Sequence, residues 1–358
     1  MKQGLAVSAG LAFGGLPKFI DLAEAQEGKW RTFEVTTELK ITDPVGAVRA
    51  WVPVPLTFNN DHIKREPDGW SGNFKSAKAV QYDRYGTGMV FAEWAAGEKA
   101  PLLEVKSKFM TRDRHVDLSA KPNPAVKESP AVLNYFRKPS KLIRTDGIVK
   151  TTANGIVMGL KNDVDKAKAV YEWIVDNTFR DAKVKGCGIG DISTMLESGY
   201  LGGKCADLNA LYVGLARAAG LPARDAYGIR VATSKEFKSL GKADDITGAQ
   251  HCRAEVWLNG YGWVPVDPAD VRKVVLEENL PGDPLPLDDA RVKKARAKLF
   301  GAWEMNWLLY NYGHDLKLPN SNGPELGFFM YPQTETANGR KDALDPKNFT
   351  YTIKSKEI

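Results

Sequence analysis

Gly202-Gly203-Lys204-Cys205-Ala206-Asp207-Leu208-Asn209-Ala210-Leu211-Tyr212-Val213-Gly214-Leu215-Ala216-Arg217-Ala218-Ala219-Gly220-Leu221-Pro222-Ala223-Arg224 is the stretch from which the fold is read. Leu208, Leu211, Tyr212, Leu215, Ala216 and Ala219 recur at steps of three and four, the spacing of a helix with one buried face. Gly220 offers a C-terminal stop, and Pro222 forbids continuation. Cys205 therefore sits at a helix N-terminus. Unpaired N–H groups and the helix dipole favour negative charge there. A thiolate in such a place can have a pKa well below the free value of about 8.5, which suits a nucleophile. Asp207 and Asn209 read as a helix-start carboxylate and a polar face residue.

Downstream, 223–232 reads as a strand, 233–248 as a polar connection, and 251–258 and 263–267 as a hairpin around Asn259-Gly260-Tyr261-Gly262. Alternation puts Cys252, Ala254, Val256 and Leu258 on an apolar face and His251, Arg253, Glu255 and Trp257 on the other. Val264 and Val266 match the apolar face, so Trp263, Pro265 and Asp267 share the polar one. A loop of three or five residues keeps the faces matched; with five, Asp267 lies opposite Arg253 and diagonal to His251. Diagonal neighbours are roughly 7–8 Å apart at the backbone, within reach of an Asp–His hydrogen bond, unless a bulge alters the register. Thiol, imidazole and carboxylate together fit a nucleophile, base and orienter.

These three segments resemble the transglutaminase-like superfamily. Gly202 to Asp207 running into an apolar helix is similar to its nucleophile segment. His251 with Glu255, Val256 and Trp257 is similar to the strand bearing the base, and Trp263-Val264-Pro265-Val266-Asp267-Pro268 to the strand bearing the acid. The resemblance covers roughly 160–275. It implies an α+β fold of the papain-like cysteine-hydrolase type, with a cysteine helix packed on an antiparallel sheet, and it implies the catalytic set Cys205, His251 and Asp267. Many relatives carry an aromatic residue two after the histidine; here Arg253 stands there. The Cys205 N–H is one candidate oxyanion donor, and Trp173, Tyr200 and the glycine loop around Cys187 are candidates for the remaining walls.

The rest of the chain frames this core. A length of 358 residues suits about two domains. Residues 1–26 read as an export signal cleaved from the mature protein: Lys2, an apolar run from Leu5 to Leu16, Pro17, then Ala23-Glu24-Ala25. The run resembles the back half of a twin-arginine signal without its arginine pair, which implies a periplasmic destination. Residues 27–120 read as a small β-sandwich, with strands at 33–41, 48–55, 79–82, 89–94 and 103–109. The prolines of 48–55 push that strand's end to an edge. His62 and His115 stand there without nucleophile or carboxylate partners. Pro122 to Pro130 marks the boundary to a core at 121–275, in which Asp163 caps a helix burying Val164, Ala167, Val170, Tyr171, Ile174 and Val175. Residues 276–358 read as an extension packed on the core, with a helix carrying Trp303, Trp307 and Tyr310, an aromatic segment 328–331 and a last strand 349–353.

Charge and cysteine usage bound the function. A formal charge of +6 is modest and dispersed. The densest basic run, Arg291 to Arg296, reads as a solvated helix face, so nucleic acid is not an expected partner. No stretch of the mature chain is long and apolar enough to cross a membrane. No calcium loop, zinc spacing or phosphate-cradling loop occurs, so neither cofactor nor metal is expected. If Cys205 stays reduced for catalysis, Cys187–Cys252 is the one pair left to bridge; two ordinary buried thiols fit equally. The resulting expectation is an exported cysteine enzyme that cleaves amide bonds of proteins or peptides through a thioester. An amine-transferring crosslinker and a non-catalytic binding module are the alternatives.

Overall fold

The computed structural model describes residues 28–81, 85–347 and 349–358; the segment read as an export signal lies outside them. Two antiparallel sheets form a sandwich. In one, Arg31–Lys40 lies between Leu102–Thr111 and Thr350–Glu357. Ile63–Arg65 and Gly69–Gly72 pair along the far side of Leu102–Thr111, and Asp244–Asp245 edges the last strand. In the other, Val48–Val54 lies between Gly88–Trp94 and Gln333–Thr336, with Ser76–Gln81 and Gly339–Arg340 outermost. Alternation along these strands sends Leu39, Val52, Val90, Trp94 and Leu103 into one inter-sheet core. The proline-bearing end of Val48–Val54 does reach an edge: its pairing with the 333–336 strand stops at Trp51, leaving Pro53 paired to Met89 on one side.

The sandwich draws on both ends of the chain, which alters the expected layout. Residues 276–358 do not form one extension on the core. Gln333–Thr336 and Thr350–Glu357 complete the two N-terminal sheets, the latter in register from Phe33 opposite Glu357 to Lys40 opposite Thr350. The expected helix around Trp303, Trp307 and Tyr310 is instead two strands, Ala302–Trp303 and Trp307–Asn311. Their aromatic spacing resembles helical steps, but the finer pattern has period two. Trp307 and Leu309 pack with Trp303 and Met305, whereas Leu308 and Tyr310 pack with Phe33 and Ile353.

The core has its own antiparallel sheet, in the order Gly262–Val266, Gln250–Leu258, Ala223–Arg230, Trp307–Asn311. The helix Cys205–Ala218 packs on its apolar face, against Cys252, Ala254, Val256, Leu258, Val264 and Val266. Helices Gly147–Ile156, Asp163–Asn177 and Pro268–Glu277 enclose it. Every residue of the cysteine helix is buried, not one face alone. Burying each of its leucines contributes ~1.5–3 kcal/mol. Its polar members are buried with partners: Arg217 Nε–H donates to Ala223 O at 2.8 Å and Nη1–H to Lys138 O at 3.0 Å. Helix Asp163–Asn177 buries Ala167, Val170, Tyr171, Ile174 and Val175; its cap is Asn162, whose Oδ1 accepts from Val164 N–H.

Candidate active site

The cysteine helix begins at Cys205 because Asp207 closes its first turn. Asp207 Oδ2 accepts from Lys204 N–H at 2.9 Å. Its other oxygen accepts from the N–H groups of Ile189 and Gly190, both at 2.9 Å. One carboxylate thus ties the 186–191 loop to the helix start, and Ala206 N–H donates to Cys187 O at 2.9 Å. Gly188 is required there: its φ is +94°, and a Cβ would overlap the Asp207 carboxylate.

The hairpin pairs Trp257 with Trp263 and Ala254 with Val266. This is the register of a five-residue loop, extended by one pair, Leu258 with Gly262, so that the loop is Asn259 to Tyr261. Asp267 follows the strand and caps helix Pro268–Glu277, which pattern reading missed. The Asp267-Pro268 step, Asp270 and the spacing of Val271, Val274 and Val275 are its local signals. His251 Nε2–H donates to Asp267 Oδ2 at 2.8 Å, and the ring lies 3.3 Å from Asp270 Oδ2. Asp267 Oδ1 accepts from Asn209 at 3.1 Å and from Asp270 N–H at 3.1 Å. Asn209, fully buried, also donates to Cys252 O at 2.8 Å. It is a strut between helix and hairpin, beyond the face role read from sequence. Asp270 is held by Arg230 at 2.6 Å.

Cys205, His251 and Cys187 line one cleft of about 240 Å³, with Gln250, Tyr331 and Tyr351 among its other walls. Trp173 and Tyr200 do not line it; the Tyr200 hydroxyl donates to Asp181 at 2.8 Å instead. Three thiols converge here, and all three are free and buried. The Cys187 thiol faces Gln250 O at 3.3 Å and Cys252 packs 3.6 Å from Met330 Sδ. Cys205 is held well below the ordinary thiol range: the facing thiols of Cys187 and Cys252, and then the His251 imidazole, favour the thiolate against burial. Cys187 is pushed up, chiefly by Cys205, and Cys252 is pushed up by burial. Burial and the Arg230 charge lower the basicity of His251, but Asp270 and Asp267 outweigh them and raise it to about 9. Both shifts run in the direction that favours a thiolate beside an imidazolium.

His251, Asp267 and Asp270 also offer ligand atoms within 4.8 Å of one another. Their charge is already met: Arg230 bonds Asp270, and Arg253 Nε lies 3.6 Å from Asp267. The face of the hairpin read as polar is not open to solvent. Arg253 stacks on Trp303 and Trp307, and Glu255 accepts from Arg114 and from Arg224, the latter at 2.5 Å. A separate cavity of about 550 Å³ lies beyond, lined by His62, Arg224, Trp263 and Tyr312, without Cys205. No helix among the described residues is long and apolar enough to cross a membrane.

A family model described as the transglutaminase-like superfamily matches residues 150–268. An uncharacterized protein of Haemophilus influenzae is 33% identical over 377 residues, covering all of both chains. Among solved structures, a candidate cysteine protease from Cytophaga hutchinsonii shares the fold at TM-score 0.51 and 16% identity, over 92% of this chain and 99% of that one. The periplasmic domain of TgpA from Pseudomonas aeruginosa gives TM-score 0.35 at 15% identity, over 76% of this chain and 98% of its own.

Proposed function

Since the chain belongs to the transglutaminase-like superfamily, whose members are mostly cysteine-dependent enzymes, we propose that it hydrolyses amide bonds of peptides or proteins through Cys205, His251 and Asp267. The observation that carries the reading is geometric: His251 is bonded to Asp267 at 2.8 Å while its ring shares a cleft with Cys205 at a helix N-terminus. The thiolate adds to the amide carbonyl, and the resulting oxyanion faces the positive end of the helix dipole, with the Cys205 N–H as donor. The C–N bond breaks as the imidazolium gives its proton to the leaving amine, which leaves a thioester. His251 then takes a proton from water, whose oxygen attacks the thioester. The C–S bond breaks, a carboxylic acid is released and the thiolate returns. Asp267 keeps the imidazole in one tautomer and steadies its positive charge; Asn209 holds Asp267. Water needs no second binding site, which favours hydrolysis over amine transfer.

Export to the periplasm rests on the reading of residues 1–26, and the substrates would then be periplasmic or cell-wall peptides. The test is alkylation of the purified chain with iodoacetamide near pH 6, followed residue by residue. Cys205 should react much faster than Cys187 or Cys252, and His251→Ala should slow it. Equal slow labelling of all three thiols would sink the enzyme reading. With a cleavable peptide in hand, added primary amine separates hydrolysis, which yields free acid, from transfer, which incorporates the amine.

A further inference from the structure

The cleft that holds Cys205 is lined by five cations, Arg180, Lys204, Arg230, Lys242 and Lys273, and by no carboxylate among the described residues. Two carboxylates stand behind these cations and set some of them in place. Glu277 bonds Arg180 and lies 3.4 Å from Lys273, so one carboxylate serves two cations. Asp270 serves Arg230 and His251 together. Lys204, half-buried and adjacent to Cys205, has no ion-pair partner among the described residues; neither has Lys242, exposed on the loop that leads to His251. The excess is felt inside the cleft: burial, and then the Arg230 and Arg180 charges, lower the basicity of Lys273. A cation entering would meet like charge, and a neutral group would leave two ammonium groups without a direct ion pair, with Asp181 and Asp245 acting on them only at longer range. An anion would find both ammonium groups and a potential of the right sign to draw it in.

Resting on the cysteine-enzyme reading above, we propose that the acyl donor is an acidic peptide, with a carboxylate-bearing side chain beside the attacked carbonyl held by Lys204 and Lys242. Arg180 and Arg230, each fixed by its own carboxylate, set the field, and the two lysines make the contacts. The neutral walls Tyr331 and Tyr351 leave room for the peptide's apolar parts.

The test uses the whole chain and three peptidyl chloromethyl ketones, identical except for glutamate, glutamine or lysine beside the reactive carbonyl. In each, the Cys205 thiolate displaces chloride and forms a stable thioether, read as a mass increase on that residue. The glutamate probe should label Cys205 about tenfold faster than the glutamine probe, through two partly exposed charge contacts, and the lysine probe should be slowest. Its advantage should shrink as ionic strength rises beyond ~0.15 M, where the screening length falls below about 8 Å. The double change Lys204→Gln with Lys242→Gln should bring the glutamate-to-glutamine ratio close to one. Equal rates for all three probes at Cys205 would overturn the acidic preference while leaving the enzyme reading intact. Failure of every probe to label Cys205 ahead of Cys187 and Cys252 would overturn both.

Discussion

Asp270→Asn tests whether His251 owes its charge to two carboxylates. In the native chain the imidazole is raised to about 9 from 6.5. At ~1.36 kcal/mol per pH unit that rise is worth about 3 kcal/mol in favour of the imidazolium. The figure is already net of burial and of the Arg230 charge, which both oppose it, so the two carboxylates together supply more. Asp270 lies 3.3 Å from the ring and Asp267 2.8 Å. Removing one of two comparable contributors forfeits at least half, on the order of 1–2 kcal/mol, and His251 should then titrate about a unit or more below its native value. A folded value above the unfolded one means that His251 contributes fully below pH 6.5 and that the contribution is lost as pH rises through about 9. In the variant it should be lost about a unit earlier. Histidine-selective isotope labelling and NMR titration read this directly, because the chain has four histidines to resolve. The change also strips Arg230 of its buried partner, at a cost of about 3–5 kcal/mol, so circular dichroism must show a folded variant. If it does not fold, Arg230→Gln with Asp270→Asn removes both charges, and His251 should titrate between the native and single-variant values. A folded variant with His251 still at about 9 would refute the two-carboxylate account.

Gly188→Ala should destabilise the chain by ~2 kcal/mol or more, since it combines a left-handed backbone with overlap on Asp207. It should also slow Cys205 alkylation by displacing the Cys187 loop; an unchanged Tm and rate would show that this loop is not pinned as described. Glu255→Gln leaves Arg114 and Arg224 without their shared carboxylate, and thermal unfolding should register a loss of about 3–5 kcal/mol. A Tm within a degree of native would mean that the Arg114–Glu255–Arg224 cluster carries no such weight. Deleting residues 350–358 uncovers the Phe33–Lys40 edge and removes Ile353 from its core. The truncated chain should aggregate or lose cooperative unfolding, and a soluble variant with the native Tm would show the last strand to be dispensable.

How much of this was legible depended on the distance between cause and effect along the chain. The start of the cysteine helix and its stop at Gly220 and Pro222 are local matters of periodicity and punctuation, and they stand at Cys205–Ala218 with the cap one residue on. The hairpin register was legible because matching two faces across a short loop leaves few choices. Trp303, Trp307 and Tyr310 misled because aromatic spacing was weighed above the alternation of Leu308 and Leu309 between them. The last strand was legible as a strand, but its partner, Arg31–Lys40, lies some three hundred residues away and nothing in either pattern names the other.

The same distance explains why the electrostatics of the candidate site were hidden while its three main residues were not. Alternation put His251, Arg253 and Glu255 on the polar face of the hairpin, and such a face of an antiparallel sheet is commonly the solvated one. Here segments near Arg114 and Trp303 cover that side, and burial converts each charge from a harmless surface group into one that demands a counter-charge. Arg114 and Arg224 answer Glu255, Arg230 answers Asp270, and Asp267 with Asp270 answers His251. The answers come from three separate places: Arg114 from its own short strand, Arg224 and Arg230 from the strand Ala223–Arg230, and Asp267 with Asp270 from the start of the helix Pro268–Glu277. Cys205 can therefore be found from its own neighbourhood, but the buried charges on the hairpin beside it are balanced by ion pairs assembled from residues 114 to 270.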